Sequence, residues 1–291
     1  MKRIAVVTDS NSGITQAQSK ELRVFVLPMP FMMEGTEYFE DINLTQEIFY
    51  KNLLDDSSIS TSQPSFFSVM ELWDRLLDEH DEIVHIPMSS GLSASCESAA
   101  QLALSPEYAG KVQVVNNRRI SVTLRQSVID AVTLADAGWD ALRIKEYSEK
   151  VQYDSSIYIM VDTLKYLKKG GRVTPTGAAI GTVLNIKPVL QIQGDKLDSY
   201  AKARGTAKAR KIMIEAMRSD FNGKFAAFSN PDKMWLHMAY TYDLDAALDF
   251  KKEVENAFPG YDIYLDNLSL SVSCHIGPGA LAVACCKKVE L

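Results

Sequence analysis

Apolar and polar positions follow two periods along this chain, and the places where one gives way to the other mark its elements. Ile4-Ala5-Val6-Val7 is an unbroken apolar run, the pattern of a strand covered on both faces. It ends in Thr8-Asp9-Ser10-Asn11-Ser12-Gly13. A polar turn at the carboxyl end of a buried strand is where open α/β sheets hold ligands. Asp and Asn bonding their own backbone would leave the same signature. A helix over 15–22 and a strand over 24–33 follow, then a tight turn at Glu34-Gly35. Residues from Leu44 onward begin another helix, capped by Asn43 or Thr45. Phe66, Val69, Leu72, Trp73, Leu76 and Leu77 recur at helical spacing and make one apolar stripe, with Ser65 placed as its cap.

The stretch Val84-His85-Ile86-Pro87-Met88-Ser89-Ser90-Gly91-Leu92-Ser93-Ala94-Ser95 reads as strand, small-residue turn and helix start. Such a turn leaves backbone N–H groups unpaired in front of a helix dipole, a setting that favours an anion. The hydroxyls of Ser89, Ser90, Ser93 and Ser95 add donors. A second hydroxyl cluster, Ser60, Thr61, Ser62 and Ser65, precedes the Phe66 helix. Further on, a strand over 111–115, helices over 122–136 and 139–151, and a strand over 157–161 are expected. The second half opens with a helix over 163–169 closed by Gly170-Gly171, which leaves Arg172 at a fixed place after the left-handed cap. A small-residue helix over 176–184, a hairpin around Gly194-Asp195, and alternating strand and helix patterns over 234–265 complete it. Residues 202–211 hold Lys202, Arg204, Lys208, Arg210 and Lys211, read as one basic helix face. His275 lies in the polar turn Ser273-Cys274-His275-Ile276-Gly277-Pro278-Gly279, before a last strand over 281–286.

Strands alternating with helices predict an α/β fold. The length of 291 residues suits two domains, and Tyr153-Asp154-Ser155-Ser156 is the best division, giving residues 1–154 and 155–291. A net charge of −6 argues against bulk affinity for nucleic acid or an anionic membrane. No apolar run reaches the ~20 residues a membrane span needs. The start of the chain runs directly into a strand without a signal-peptide core, so a cytoplasmic location is expected. Cys96, Cys274, Cys285 and Cys286 lack metal-ligand spacing and read as buried thiols. No metal site and no nucleotide-binding glycine loop is expected. Gly91-Leu92-Ser93-Ala94-Ser95 is one residue short of a nucleophile elbow, so a hydrolase using Ser93 and His275 stays open as an alternative.

The ordered segments Thr8-Asp9-Ser10, Thr61-Ser62-Gln63-Pro64-Ser65, Ser89-Ser90-Gly91-Leu92-Ser93, Leu164 to Arg172, Asn185-Ile186-Lys187-Pro188, Lys202-Ala203-Arg204-Gly205 and His275-Ile276-Gly277-Pro278-Gly279-Ala280-Leu281 together resemble the DegV family, which includes fatty-acid-binding subunits of a bacterial fatty acid kinase. The resemblance implies two α/β domains with a ligand tunnel between or alongside them. It implies no enzymatic activity and no cofactor, only a bound long-chain fatty acid such as palmitate. Carried over, the carboxylate ligands are Thr61 or Ser62, Ser93 and the adjacent Ala94, with Arg172 and His275 compensating the charge. The same resemblance implies a partner kinase, with Arg204 as a docking candidate, and peripheral membrane contact during lipid exchange. This chain carries Ala94-Ser95-Cys96 where the family usually has Gly-Thr-Tyr. A regulatory protein with a vestigial pocket is the remaining alternative.

Overall fold

The N-terminal apolar run becomes β1 (Ile4–Asp9), the centre of a parallel sheet, and the elements follow it in the order its patterning suggests. The computed structural model describes residues 2–55, 57–179, 186–194 and 196–291. They divide into two compact units. One comprises residues 1–152 with Ser269–Ser271 and Glu290–Leu291, the other Tyr153–Leu268 with Val272–Val289.

In the first unit β1 is followed by α1 (Gln16–Leu22), β2 (Phe25–Leu27), β3 (Pro30–Met33), β4 (Thr36–Phe39), α2 (Gln46–Leu54), β5 (Ile59–Thr61) and α3 (Phe66–Leu77). Then come β6 (Glu82–Ile86), α4 (Ser95–Leu102), β7 (Val112–Val114), α5 (Ser121–Asp136) and α6 (Ala141–Lys150). A four-stranded sheet runs in the order β2-β1-β6-β7, all parallel, and β4-β3-β5 form a small antiparallel sheet. The strand expected over 24–33 is therefore two strands in two sheets. Pro28 and Pro30 offer no N–H to a ladder, so the run breaks there and resumes with Pro30 as a first residue. Caps follow the sequence: Thr15 and Gln18 make a reciprocal capping box, Thr45 rather than Asn43 caps α2, and Ser65 Oγ accepts the N–H of Ser68 at 3.0 Å. The stripe of α3 buries Val69, Leu72, Trp73 and Leu76 against Ala5, Val7 and Ile83 of the sheet and Cys96 and Ala99 of α4.

The second unit holds β8 (Ser155–Met160), α7 (Lys165–Gly170), α8 (Pro175–Ala178), β9 (Ile186–Ile192), β10 (Asp198–Arg204), α9 (Thr206–Asn222), β11 (Met234–Tyr240), α10 (Leu244–Ala257), β12 (Ile263–Asn267) and β13 (Leu281–Lys287). Between the last two lies α11 (Leu270–Ile276). Its six-stranded sheet runs β10-β9-β8-β13-β11-β12, antiparallel except for β11 beside β12. α9 and α10 cover it, burying Met213, Met217, Phe221, Phe250 and Val254. Three expectations change here. The basic residues do not share one helix: Lys202 and Arg204 belong to β10, Gly205 at φ 80 breaks the chain direction, and Lys208, Arg210 and Lys211 lie on α9. His275 is in α11 rather than in a turn. The helix expected over 176–184 is seen as the short α8, and its residues 180–184 lie outside the described residues, as do Asn185 and Asp195.

Candidate functional site

The strand order of the first unit fixes where a ligand belongs. From β1 the neighbouring strand is β2 on one side, and from β6 it is β7 on the other. The crevice beyond the carboxyl ends of β1 and β6 is thus the topological switch point of the sheet. Both polar turns singled out in the sequence lie there.

The β1 turn is committed to structure. The Asp9 carboxylate accepts N–H bonds from Asn11 (3.0 Å), the Asn11 side chain (2.7 Å) and Met88 (2.9 Å). Thr8 Oγ1 donates to Ile86 O at 2.8 Å. Asp9 is wholly buried, and burial raises its pKa against the pull of those donors. Its work is to fix the path of residues 86–88, where the sequence left a ligand role open.

The β6–α4 connection holds two part-buried hydroxyls, Ser90 and Ser93, rather than four outward ones. Ser89 Oγ accepts from Gly91 N at 3.2 Å and is buried. Ser90 Oγ accepts from Asn116 Nδ2 at 2.8 Å. Ser95 points inward, 8% exposed. Ser93 is half-buried, its Oγ accepting Ser95 N at 3.2 Å, which leaves its own proton uncommitted among the described residues. Ala94 is the exposed N-cap of α4 and its own side chain makes no cap bond; Ser93 Oγ takes only the first N–H of the helix, that of Ser95. Backbone donors at the start of α4 thus stand beside the Ser93 hydroxyl, the combination that suits a carboxylate.

Thr61, half-buried, ends β5, paired with Phe31 of β3, and Ser62 follows it exposed. Gln63 and Ser98 bond at 3.1 Å, which ties this loop to α4. The two hydroxyl-bearing loops therefore meet. Where they meet, a cavity of about 20 Å³ is lined by Leu27, Pro64, Phe66, Val69, Pro87 and Ala99, with Asp9, His85, Ser95 and Ser98 as its polar wall.

In the second unit Arg172 and His275 are brought together. Burial and the nearby Arg172 guanidinium lower the His275 pKa to about 4, so the imidazole is neutral. The ring comes close against α7: a Cβ on Gly170 would run into Nδ1 of His275. One turn along, a Cβ on Gly277 would run into the Tyr166 ring. Gly171 (φ 69) closes α7, and Arg172 follows it, its guanidinium donating to Gly170 O. The double glycine thus has two separate tasks, a close approach at Gly170 and a left-handed cap at Gly171. Arg204 is exposed on β10, an edge strand, beside exposed Lys202, while Arg210 is engaged by Glu253 at 3.1 Å and Ala246 O at 3.0 Å. Sequence reasoning missed His85 and Gly170. His85 carried a signal, a polar residue inside an apolar strand, whereas the task of Gly170 depends on an imidazole far along the chain.

Ser93 is not a nucleophile elbow. It is not among the residues held at positive φ, and the connection from Ile86 to Ser95 is too long for the strained strand-to-helix turn that such a serine occupies. Among the described residues no cluster of His, Cys, Asp and Glu could hold a metal, and no helix is long and apolar enough to cross a membrane.

A family model described as "Uncharacterised protein, DegV family" matches residues 3–288. A DegV domain-containing protein of Clostridium perfringens is 27% identical over 289 residues, 97% of each chain. Two solved structures share the architecture. A DegV family protein of Thermus thermophilus, described as binding fatty acid, superimposes with a TM-score of 0.87 at 28% identity, covering 98% of this chain and 99% of that one. DegV of Bacillus subtilis, described as a fatty acid binding protein, gives 0.85 at 25% identity, covering 99% and 100%.

Proposed function

The chain belongs to the DegV family, and on that premise we propose that it binds one long-chain fatty acid and carries it without transforming it. Ser93, Thr61 or Ser62, and the backbone at Ala94 take the carboxylate. Arg172 compensates its charge, and the neutral His275 offers it a ring N–H. The observation that carries the reading is the start of α4, where Ala94 makes no side-chain cap bond, beside the free Ser93 proton and the Thr61-Ser62 loop. A carboxylate there receives helix N–H groups and hydroxyls at once, which offsets the several kcal/mol that burying an unpaired charge costs. The solved relatives described as fatty acid binding support the ligand class. Burying a palmitoyl chain at ~0.8 kcal/mol per methylene contributes on the order of 10 kcal/mol before ordering costs.

Delivery of the acid to a kinase that phosphorylates the carboxylate is the second half of this proposal. Arg204 and Lys202, exposed side by side on an edge strand of an acidic protein, suit an acidic docking face. Phe66, Phe67 and Met70 of α3 are 54%, 74% and 38% exposed, and they suit peripheral contact with a lipid surface during exchange. A cytoplasmic location fits both. The test is native mass spectrometry of the purified chain before and after incubation with palmitate, beside an acyl-ester turnover assay. One released fatty acid per chain and no turnover is the expected result. A bare mass that stays bare with excess palmitate overturns the proposal.

A further inference from the structure

The cavity beside the hydroxyl loops has a polar wall that an acyl chain does not need. Of its four polar residues two are satisfied. Asp9 accepts three N–H bonds, and Ser98 is bonded to Gln63. The other two are not: His85 Nδ1 and Ser95 Oγ have no hydrogen-bond partner among the described residues, and those residues are only 3% and 8% exposed. Each such orphan costs about 1–3 kcal/mol, and native proteins keep few of them without a use. They sit against Leu27, Val69 and Ala99, so a group that entered would meet a polar end in an apolar surround.

The chemistry of the pair narrows what fits. Burial lowers the His85 pKa to about 3. The ring is therefore neutral, one nitrogen donating and the other accepting. Its orientation is set by an edge-on contact with Trp73, centroids 5.6 Å apart. Ser95 both donates and accepts. A hydroxyl, which also does both, is the complementary group. A carboxylate would instead face Asp9, whose oxygens are already taken, and two carboxyls would repel. At about 20 Å³ the space holds one water-sized group and not several methylenes. Pro64 and Ser95, from the two hydroxyl-bearing loops, both line the cavity, which puts it beside the proposed carboxylate site.

We propose that His85 and Ser95 form a hydroxyl subsite and that the ligand this chain selects is a fatty acid bearing a hydroxyl near its carboxyl end. The inference rests on the fatty-acid reading above and names the substrate class within it.

Isothermal titration of the full chain, stripped of lipid, with palmitate and separately with β-hydroxypalmitate tests it. The hydroxy acid is expected to bind about tenfold tighter, the worth of one well-made buried hydrogen bond. Ser95→Ala should bring that ratio close to one while palmitate affinity holds. His85→Phe, which keeps an aromatic ring against Trp73, should do the same, and Ser95→Ala alone suffices where that variant does not fold. Equal binding of the two acids by the unaltered chain, or a preference that survives Ser95→Ala, overturns the subsite and leaves the fatty-acid reading intact. Failure of both acids to bind overturns that reading and the subsite with it.

Discussion

Glu40, at the end of the small antiparallel sheet, accepts the backbone N–H of Leu270, the first residue of α11, 230 positions further along the chain. Ser10 Oγ donates to the same carboxylate at 2.8 Å. The carboxylate is 8% exposed, and burial raises its pKa from 4.5 to about 7 in spite of the Leu270, Ser10 and Ser271 donors. Asp41 beside it adds a small push in the same direction. A buried acid thus anchors the start of the helix that carries His275.

The linkage gives the first prediction. A carboxyl whose folded pKa lies above its unfolded value binds protons more tightly when folded. Its contribution is fully present below pH 4.5 and is lost as pH rises to about 7. The loss is on the order of 3 kcal/mol. Glu40→Gln, which keeps an oxygen for Leu270, should flatten this part of the stability curve. Urea unfolding of both proteins at pH 5 and pH 8 checks it. The expected outcome is a smaller pH difference in the variant, and identical curves would place the burial penalty elsewhere.

Ser93→Ala removes the hydroxyl proton offered beside α4. A hydrogen bond to a charged group contributes about 1.5–3 kcal/mol, so palmitate affinity should fall roughly 10- to 100-fold. Ser93 Oγ also accepts Ser95 N, a part-buried helix-start bond whose loss should cost the lipid-free fold about 1 kcal/mol. Calorimetric titration and a thermal melt of the same sample separate the two. Unchanged affinity would remove Ser93 from the carboxylate site.

Gly170→Ala places a methyl where the His275 imidazole lies. The helix can accept alanine, so the strain falls on the ring, which must turn away. Palmitate affinity should drop about as much as in His275→Ala, and the double variant should be no worse than either single one, the non-additivity of residues acting as one unit. Additive losses would mean that Gly170 serves the fold alone.

His275 should not titrate across the physiological range. Its folded pKa of about 4 lies below the model-peptide value of 6.5 because of burial first and Arg172 second. A depressed histidine pKa stabilises the fold above pH 6.5, and that contribution is lost as pH falls toward 4. The imidazole resonance should stay flat from pH 8 to 5.5 in an NMR titration. Arg172→Ala removes the neighbouring cation and should move the midpoint upward. A midpoint near 6.5 in the unaltered protein would refute the buried, neutral ring.

Local pattern carried much of this protein. The apolar runs of β1 and β6, the stripe of α3 with its Ser65 cap, and the α/β alternation are set by near-neighbour physics: side-chain period, backbone hydrogen bonding and the conformational limits of Pro and Gly. The two hydroxyl clusters were legible for the same reason, since a strand-to-helix turn announces its own unpaired donors, and the choice of Thr61, Ser62 and Ser93 within them came from the family resemblance. Other features were decided only by the tertiary structure. The run over 24–33 had to divide between two sheets once Pro28 and Pro30 met hydrogen-bonding neighbours. Ser89, Ser90 and Asp9 looked free in sequence and are consumed by Gly91, Asn116, Asn11 and Met88. The meeting of Gly170 with His275, of Glu40 with Leu270, and of His85 with Ser95 around one small cavity joins residues far apart in the chain. The reason is physical. Periodicity reports which face of an element is buried, whereas which polar atom finds a partner depends on what the rest of the chain brings to that face.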